Sequence, residues 1–556
     1  MIIRTLRAGL LLAVLTASAT ICGGQTPPAA RSEALASIQQ YIHATWDTLT
    51  RSTSECGSVT DPKLRAPSIL YLPQDYPEPD AVRQMSASCN VRALPLPAKI
   101  KEPGQANVRA IDPPGLLFLP NPYVVPGGRF NEMYGWDSYF IVLGLLQDGR
   151  LELARDMVEN FFFEIEHYGT VLNANRTYYL TRSQPPFLTS MILEVYRADK
   201  RDAKMKRGWL ERAYKFAAHD YEMWTHTPHL AGDTGLSRYY DFGEGPAPES
   251  EKDETGLQRK VAGYFLVHPG LTTEEYLKAS ESGARSSWPQ YVAKVCDAAT
   301  ETLCDAAGTL QLTDDYYKGD RSLRESGFDI TFRFGPYGAA THHFAPVGLN
   351  SLLYKAEDDL AWMAQELGNK TDATQWLNRA ARRKRLVNQY LWDARRGLFF
   401  DYDFTSGKRS NYEFLTTFYP LWVGMATKEQ AREVERNLKI FEHAGGLATS
   451  TFDSGVQWDY PFGWAPLQLL AVEGIRRYSD ERDANRVAEE FLSTVLENFE
   501  RDKTIREKYN VVTGSSQVAV SAGYQTNVVG FGWTNGVFVR LLRDLPPAAM
   551  REIQER

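Results

Sequence analysis

Apolar residues recur at every third or fourth position in four stretches of this chain. Within Leu151 to Tyr168 they are Leu153, Met157, Phe161 and Ile165. In a second stretch they are Leu349, Leu352, Ala356, Leu360, Met363 and Leu367, with Gly368 as a C-terminal stop. Ala373, Leu377, Ala380, Val387 and Leu391 mark a third, and Ala484, Val487, Phe491, Val495 and Phe499 a fourth. This period predicts amphipathic helices, each packing through one apolar stripe and turning a charged face to water. Ser32 to Leu49 reads as a further helix, whereas no run of alternating strands appears. Residues 54–120 are rich in Pro and short apolar runs, which predicts a wrapping segment. No Ser/Gly or Pro linker divides residues 120–545. The expectation is therefore an all-α chain: an N-terminal extension over 25–120, one helical domain over 121–545 with functional loops at one end, and a tail over 546–556.

The ends and the cysteines refine this. Arg4 and Arg7 precede a short apolar run from Ala8 to Leu15, and Ala17-Ser18-Ala19 offers a cleavage site. Residues 1–24 thus read as a signal peptide, with a periplasmic or secreted protein as the consequence. Cys22 leaves a lipid anchor as the alternative. Residues 25 to about 32, with Pro27-Pro28-Ala29-Ala30, read as a disordered start. In an oxidising compartment proximity pairs Cys56 with Cys89 and Cys296 with Cys304. No later segment is long and apolar enough to be a membrane helix. The net charge of -7 argues against a nucleic-acid partner, which would require a basic face. The nine His are scattered and no CxxC, HExxH, EF-hand or phosphate-loop motif occurs, so no metal and no cofactor is expected. A monomer is expected.

Four loops carry candidate chemistry. Pro126-Gly127-Gly128-Arg129-Phe130 leads into Tyr134-Gly135-Trp136-Asp137; residues 173–186 read NANRTYYLTRSQPP; Glu325-Ser326-Gly327-Phe328-Asp329 precedes Arg333; and Gln457-Trp458-Asp459 precedes Gly463-Trp464-Ala465-Pro466. Each sets Arg, Asp, Asn, Gln or Glu beside Trp, Tyr or Phe. Rings present apolar faces to a sugar, while carboxylates, amides and guanidinium groups bond its hydroxyls. Any one of these loops could instead close a helix end over the core. Four together point to a carbohydrate site.

PGGRFNEMYGWDSYF at 126–140 and QWDYPFGWAP at 457–466 resemble the two signature stretches of the trehalase family. NANRTYYLTRSQPP, ESGFD, EKYN at 507–510 and FGWTNG at 531–536 resemble further family segments, in the family's order. The resemblance implies an (α/α)6 barrel and hydrolysis of α,α-trehalose to two glucose molecules with inversion, its partner a small disaccharide. By the same resemblance Asp329 is the general acid and Glu507 the general base. Without it, Asp329 reads as a helix cap or a partner of Arg333, and Glu507, between Arg506 and Lys508, as a solvated charge. Arg129, Trp136, Asp137, Asn173, Arg182, Ser183, Gln184 and Glu249 match positions that hold the sugar, and Gly327 matches a backbone contact beside the acid. Trp458 and Trp464 either wall the pocket or belong to the core.

Three departures stand against the match. Ala247-Pro248-Glu249 replaces the family's Arg-Pro-Glu, which removes a substrate-binding arginine unless another cation such as Arg238 fills the space. The Gly-rich lid is replaced by Thr513 to Gly530, with Tyr524-Gln525-Thr526-Asn527 near its end and no counterpart of the closing glutamate. Gly348 stands where an Asp is expected. These changes keep open an inverting hydrolase of another α-glucoside with an altered leaving-group subsite. A sugar-binding protein without catalysis is a further alternative, but it would require neither Asp329 nor Glu507. A phosphorylase would need no general base.

Overall fold

The computed structural model describes residues 28–60, 66–249, 255–268, 276–279, 294–297, 302–304, 310–479, 481–523 and 526–555. Its helices of nine residues or more are α1 (Pro28–Leu49), α2 (Asp80–Ser88), α3 (Asp137–Gln147), α4 (Leu151–Tyr168), α5 (Leu188–Ala198), α6 (Ala203–Thr225), α7 (Thr255–Val267), α8 (Asp314–Glu325), α9 (Val347–Glu366), α10 (Lys370–Tyr390), α11 (Lys428–Arg436), α12 (Ala465–Tyr478), α13 (Glu481–Asp502), α14 (Gly532–Asp544) and α15 (Pro547–Glu555). The four periodic stretches are α4, α9, α10 and α13. In α13 all five stripe residues are buried. In α10 the stripe is shifted: Trp376 is buried and Leu377 is exposed.

The architecture is an (α/α)6 barrel. Helices α3, α5, α9, α12 and α14 are buried on most sides, whereas α4, α6, α10 and α13 cover them through one face. The expectation that α9 packs on one side only therefore fails. Its Glu357 and Asp359 are buried too, bound by Arg383, by Tyr221 and by Thr189 and Lys355. The ring closes where α14 meets α3. A Cβ on Gly536 would lie 1.9 Å from the Phe140 carbonyl oxygen, and one on Gly144 would lie 2.7 Å from Gly536 Cα. Only hydrogen at these positions lets the two backbones approach.

The N-terminal region departs from its sequence reading in two respects. Helix already begins at Pro28, so the segment expected to be disordered is ordered from there on. Arg31 is buried, its Nε donating to the Ile553 carbonyl (3.1 Å) and its guanidinium pairing with Glu497 (3.1 Å). Strands β1 (Ser68–Leu72), β2 (Val91–Pro95) and β3 (Leu116–Leu117) form a parallel sheet in the order β2-β1-β3, with α2 as the crossover between β1 and β2. The run Ser-Ile-Leu-Tyr-Leu of β1 is buried on both faces, so it shows no alternation by which to recognise a strand. A disulfide joins Cys56 to Cys89, Cα atoms 5.9 Å apart. Cys296 and Cys304 lie in the short paired strands Lys294–Asp297 and Thr302–Cys304, with side chains outside the described residues. No helix among the described residues is long and apolar enough to cross a membrane.

Candidate active site

Segments 129–137 and 173–184 are laced together by hydrogen bonds. Gly135 N donates to the Asn173 carbonyl (3.1 Å), Trp136 N to Gln184 Oε1 (3.0 Å) and Met133 N to Asn175 Oδ1 (2.8 Å). Arg182 donates through Nε and Nη2 to Asn173 Oδ1 (3.0 and 2.8 Å), bonds Glu249, and lies over the ring of Tyr179. Burial alone would weaken the charge of Arg182, but Glu249 and Asp241 reinforce it, so its proton is held more tightly than usual. Glu249 is the counterpart. Burial pushes its carboxyl up, Arg182 and Arg324 outweigh that, and it ends at about 2.

A third wall comes from the far end of the chain. Strands β4 (Phe462–Trp464) and β5 (Lys508–Asn510) pair antiparallel with Trp464 opposite Lys508, which holds the tryptophan loop against Glu507. Asn527 fastens this segment: its Oδ1 accepts from Glu507 N and Lys508 N (both 3.2 Å), and its Nδ2 donates to the carbonyls of Lys508 and Ser516. Lys508 is fully buried. Its Nζ donates to Gln457 Oε1 (3.1 Å) and Glu507 Oε2 (3.3 Å) and sits 5.0 Å from the Trp464 ring centroid. The flanking charges therefore do not make Glu507 a surface residue; it is 6 % exposed.

These walls form a cavity open to solvent and lined by Arg129, Trp136, Asp137, Asn173, Arg182, Gln184, Glu249, Gly327, Asp329, Trp458, Trp464 and Glu507. Both tryptophans line it while almost fully buried, stacked on each other at 3.8 Å, so the two readings of them hold at once. Gly327 has φ +75°, and a Cβ there would press on the Trp136 indole at 3.0 Å, which explains why only backbone faces the cavity at this point. Ser183 lies behind the wall: its hydroxyl donates to the Val171 carbonyl (2.6 Å) and its N–H to buried Glu325. Arg333 forms a buried two-bond pair with Asp401, and Asp329 lines the cavity.

Sequence reasoning missed Tyr134, Tyr179, Arg324, Gln457 and Trp533, which also line the cavity. Four of them stand inside the motifs already singled out. Arg324 immediately precedes ESGFD and brings a guanidinium to the same wall as Glu249. Its Nη1 is 3.9 Å from Glu249 and its Nε donates to Asp320 at 3.1 Å. Arg238 does not fill the space of the arginine missing at Ala247. It donates to the carbonyls of Pro228 and His342 and covers the ring of Tyr240. Among the described residues none of Thr513 to Gly530 lines the cavity; Tyr524 and Gln525 lie outside the described residues. At Gly348 the local carboxylate is Asp401, which accepts from Val347 N at 2.8 Å.

Asp137 is a strongly perturbed acid of the cavity. Burial lifts its carboxyl well above the ordinary 3.8, and the neighbouring charges of Glu507 and Asp329 lift it further. A folded state that binds this proton more tightly than the unfolded chain loses stability as pH rises from about 4. In Asp137→Asn that loss is absent. Comparing denaturation midpoints at pH 5 and pH 8, the variant is expected to gain on the parent at pH 8. A pH-independent difference would refute the assignment.

An (α/α)6 barrel with a cavity lined by carboxylates and tryptophans is the framework of a glycoside hydrolase. The Trehalase family profile matches residues 25–546. A cytosolic neutral trehalase of Saccharomyces cerevisiae is 36% identical over 566 residues, 91% of this chain and 71% of that protein. A probable trehalase of Eremothecium gossypii is 35% identical over 92% of this chain and 73% of its own length. The solved structure of neutral trehalase Nth1 from Saccharomyces cerevisiae superposes with a TM-score of 0.74 at 34% identity, covering 95% of this chain and 96% of that one. The chain belongs to the trehalase family. The family and the barrel are as the motifs implied, and the other-substrate alternative is not favoured. The periplasmic or secreted location is overturned by the yeast relative, which is named a cytosolic enzyme. Residues 1–24, read above as a signal peptide, lie outside the described residues.

Proposed function

We propose that this trehalase hydrolyses α,α-trehalose to two glucose molecules with inversion, Asp329 protonating the glycosidic oxygen and Glu507 activating the attacking water. The observation that carries this reading is the joint presence of Asp329 and Glu507 on one cavity, both close enough to raise the proton affinity of the same third acid, Asp137. An inverting pair needs opposite sides of one sugar ring, with carboxyls about 6.5–9.5 Å apart so that a water fits. Lys508 at Glu507 Oε2 and the Trp533 indole N–H on the Glu507 carbonyl (3.2 Å) hold the base in place. Arg129, Asn173, Arg182, Gln184, Glu249 and Arg324 supply the fixed donors and acceptors for sugar hydroxyls, with Trp136, Trp458 and Trp464 as apolar walls. Ser183 acts as a positioning residue for the wall that carries Arg182. The mechanism requires no cofactor.

Time-resolved proton NMR of trehalose turnover in phosphate-free water tests the proposal. Inversion releases one α- and one β-glucose per bond at early times. Two α-glucose molecules would mean retention and would exclude the single displacement. Arg324→Ala tests the part of this arginine in holding the sugar. Losing a hydrogen bond from a charged donor costs about 1.5–3 kcal/mol, so kcat/KM for trehalose is expected to fall roughly 10- to 150-fold. A loss below twofold would show that Arg324 does not serve the sugar.

A further inference from the structure

Three metal-ligating side chains meet away from the sugar cavity. Asp315 stands in the first turn of α8, directly after Asp314, and His342 and His343 form the end of the 3-10 turn Thr341–His343. His342 Nε2 lies 3.0 Å and His343 Nε2 3.8 Å from the same oxygen, Asp315 Oδ1. One donor atom from each residue falls within 4.8 Å of the others. The two rings are 4.0 Å apart and tilted, so both imidazole edges turn toward one carboxylate. A tetrahedral ion with bonds of about 2.1 Å holds its donors about 3.4 Å apart, between the two distances observed here.

We propose that Asp315, His342 and His343 bind one divalent transition-metal ion of the zinc class. Two imidazoles and one carboxylate are the donor set that suits zinc, and they exclude calcium and magnesium, which require oxygen ligands. His342 is buried and fixes one bond, while Asp315 and His343 are partly exposed and leave the remaining positions to water. The His342 carbonyl is already held by Arg238 Nη1 (2.8 Å), and Phe404 N donates to the His343 carbonyl (3.1 Å), so the turn is anchored before any ion arrives. The ion would fasten this turn to the start of α8, the helix whose other end carries Arg324 and leads to Asp329. The ligands stand 27 residues apart, so no spacing motif announces them.

Metal-stripped, untagged protein titrated with ZnCl2 by calorimetry, and with CoCl2 by visible absorption, tests the site. One saturable ion per chain is expected, with cobalt giving the intense bands of a tetrahedral or five-coordinate centre. Asp315→Asn and His343→Ala alter partly exposed side chains, and circular dichroism checks that both variants fold. Each is expected to weaken binding by at least the roughly 10- to 100-fold that changes to a metal's outer partners produce. Absence of saturable binding overturns the proposal. So does parental affinity in both variants, which would place the ion elsewhere on the surface.

Discussion

Asp329→Asn is expected to lower kcat for trehalose by about 10²- to 10⁴-fold, the range that a positioned acid or base contributes. Glu507→Gln should fall as far. The two losses differ in kind. A general acid is needed only when the leaving group is a poor one, so Asp329→Asn should still hydrolyse α-glucosyl fluoride, whose fluoride departs without a proton. A general base is needed for either substrate, so Glu507→Gln should fail on both. Both variants exchange a carboxylate for an isosteric amide inside an otherwise intact wall, and binding of glucose should survive in each. If Asp329→Asn retained more than a tenth of parental trehalose turnover, the acid would have to be sought elsewhere in the cavity. If Glu507→Gln hydrolysed the fluoride at the parental rate, Glu507 would not be the base.

Arg182→Ala should be the most damaging change outside that pair. Arg182 joins three groups at once: Asn173 by two bonds, Glu249 by a charge-assisted bond, and Asp241, 3.7 Å away. All are buried. Removing the guanidinium leaves Glu249 to the more distant Arg324 (3.9 Å) and Asp241 to Arg321 (3.6 Å), and breaking a buried ion pair from one side destabilises by about 3–5 kcal/mol. The measurement is the urea midpoint at pH 7, together with trehalose kcat/KM in whatever fraction remains folded. Arg182→Lys should recover little of either, because an ammonium cannot make two parallel bonds to one amide oxygen and still reach Glu249. An Arg182→Ala protein with parental stability would mean that the carboxylates take up protons or water at no cost. That would remove the electrostatic argument for this wall.

Helices α4, α10 and α13 were legible in the sequence because their burial is one-sided and so imprints a period. Elements buried on all sides leave no such imprint. Helix α8 is the sharpest case. Its sequence, DDYYKGDRSLRE, reads as a polar surface segment, yet Tyr316 to Glu325 is buried. Its charges are satisfied in space rather than in sequence: Lys318 by Asp241, Gly243 and Glu244, Arg324 by Asp320, and Glu325 by His229 and Tyr240. The same cause hid Arg324 as a cavity residue. The parallel sheet of the N-terminal region escaped for the complementary reason, since β1 is apolar on both faces. Most cavity residues could be found only because their loops resemble those of a family. Periodicity says nothing about which loop residues converge.

The barrel closes by bringing its first inner helix against its last, Gly144 against Gly536. Asp137 and Trp136 come from the first of these, Glu507 and Trp533 from the last part of the chain, some 370 residues later on the ribosome. No N-terminal portion of the nascent polypeptide can hold a sugar pocket, however well its early helices pair. Such late, sequence-distant contacts make for slow folding and a long interval in which the apolar inner helices stand open. The enzyme's yield in a cell should therefore depend on chaperones that shelter an unclosed ring. A shortened chain that ends before α14 should aggregate rather than fold to a weaker catalyst.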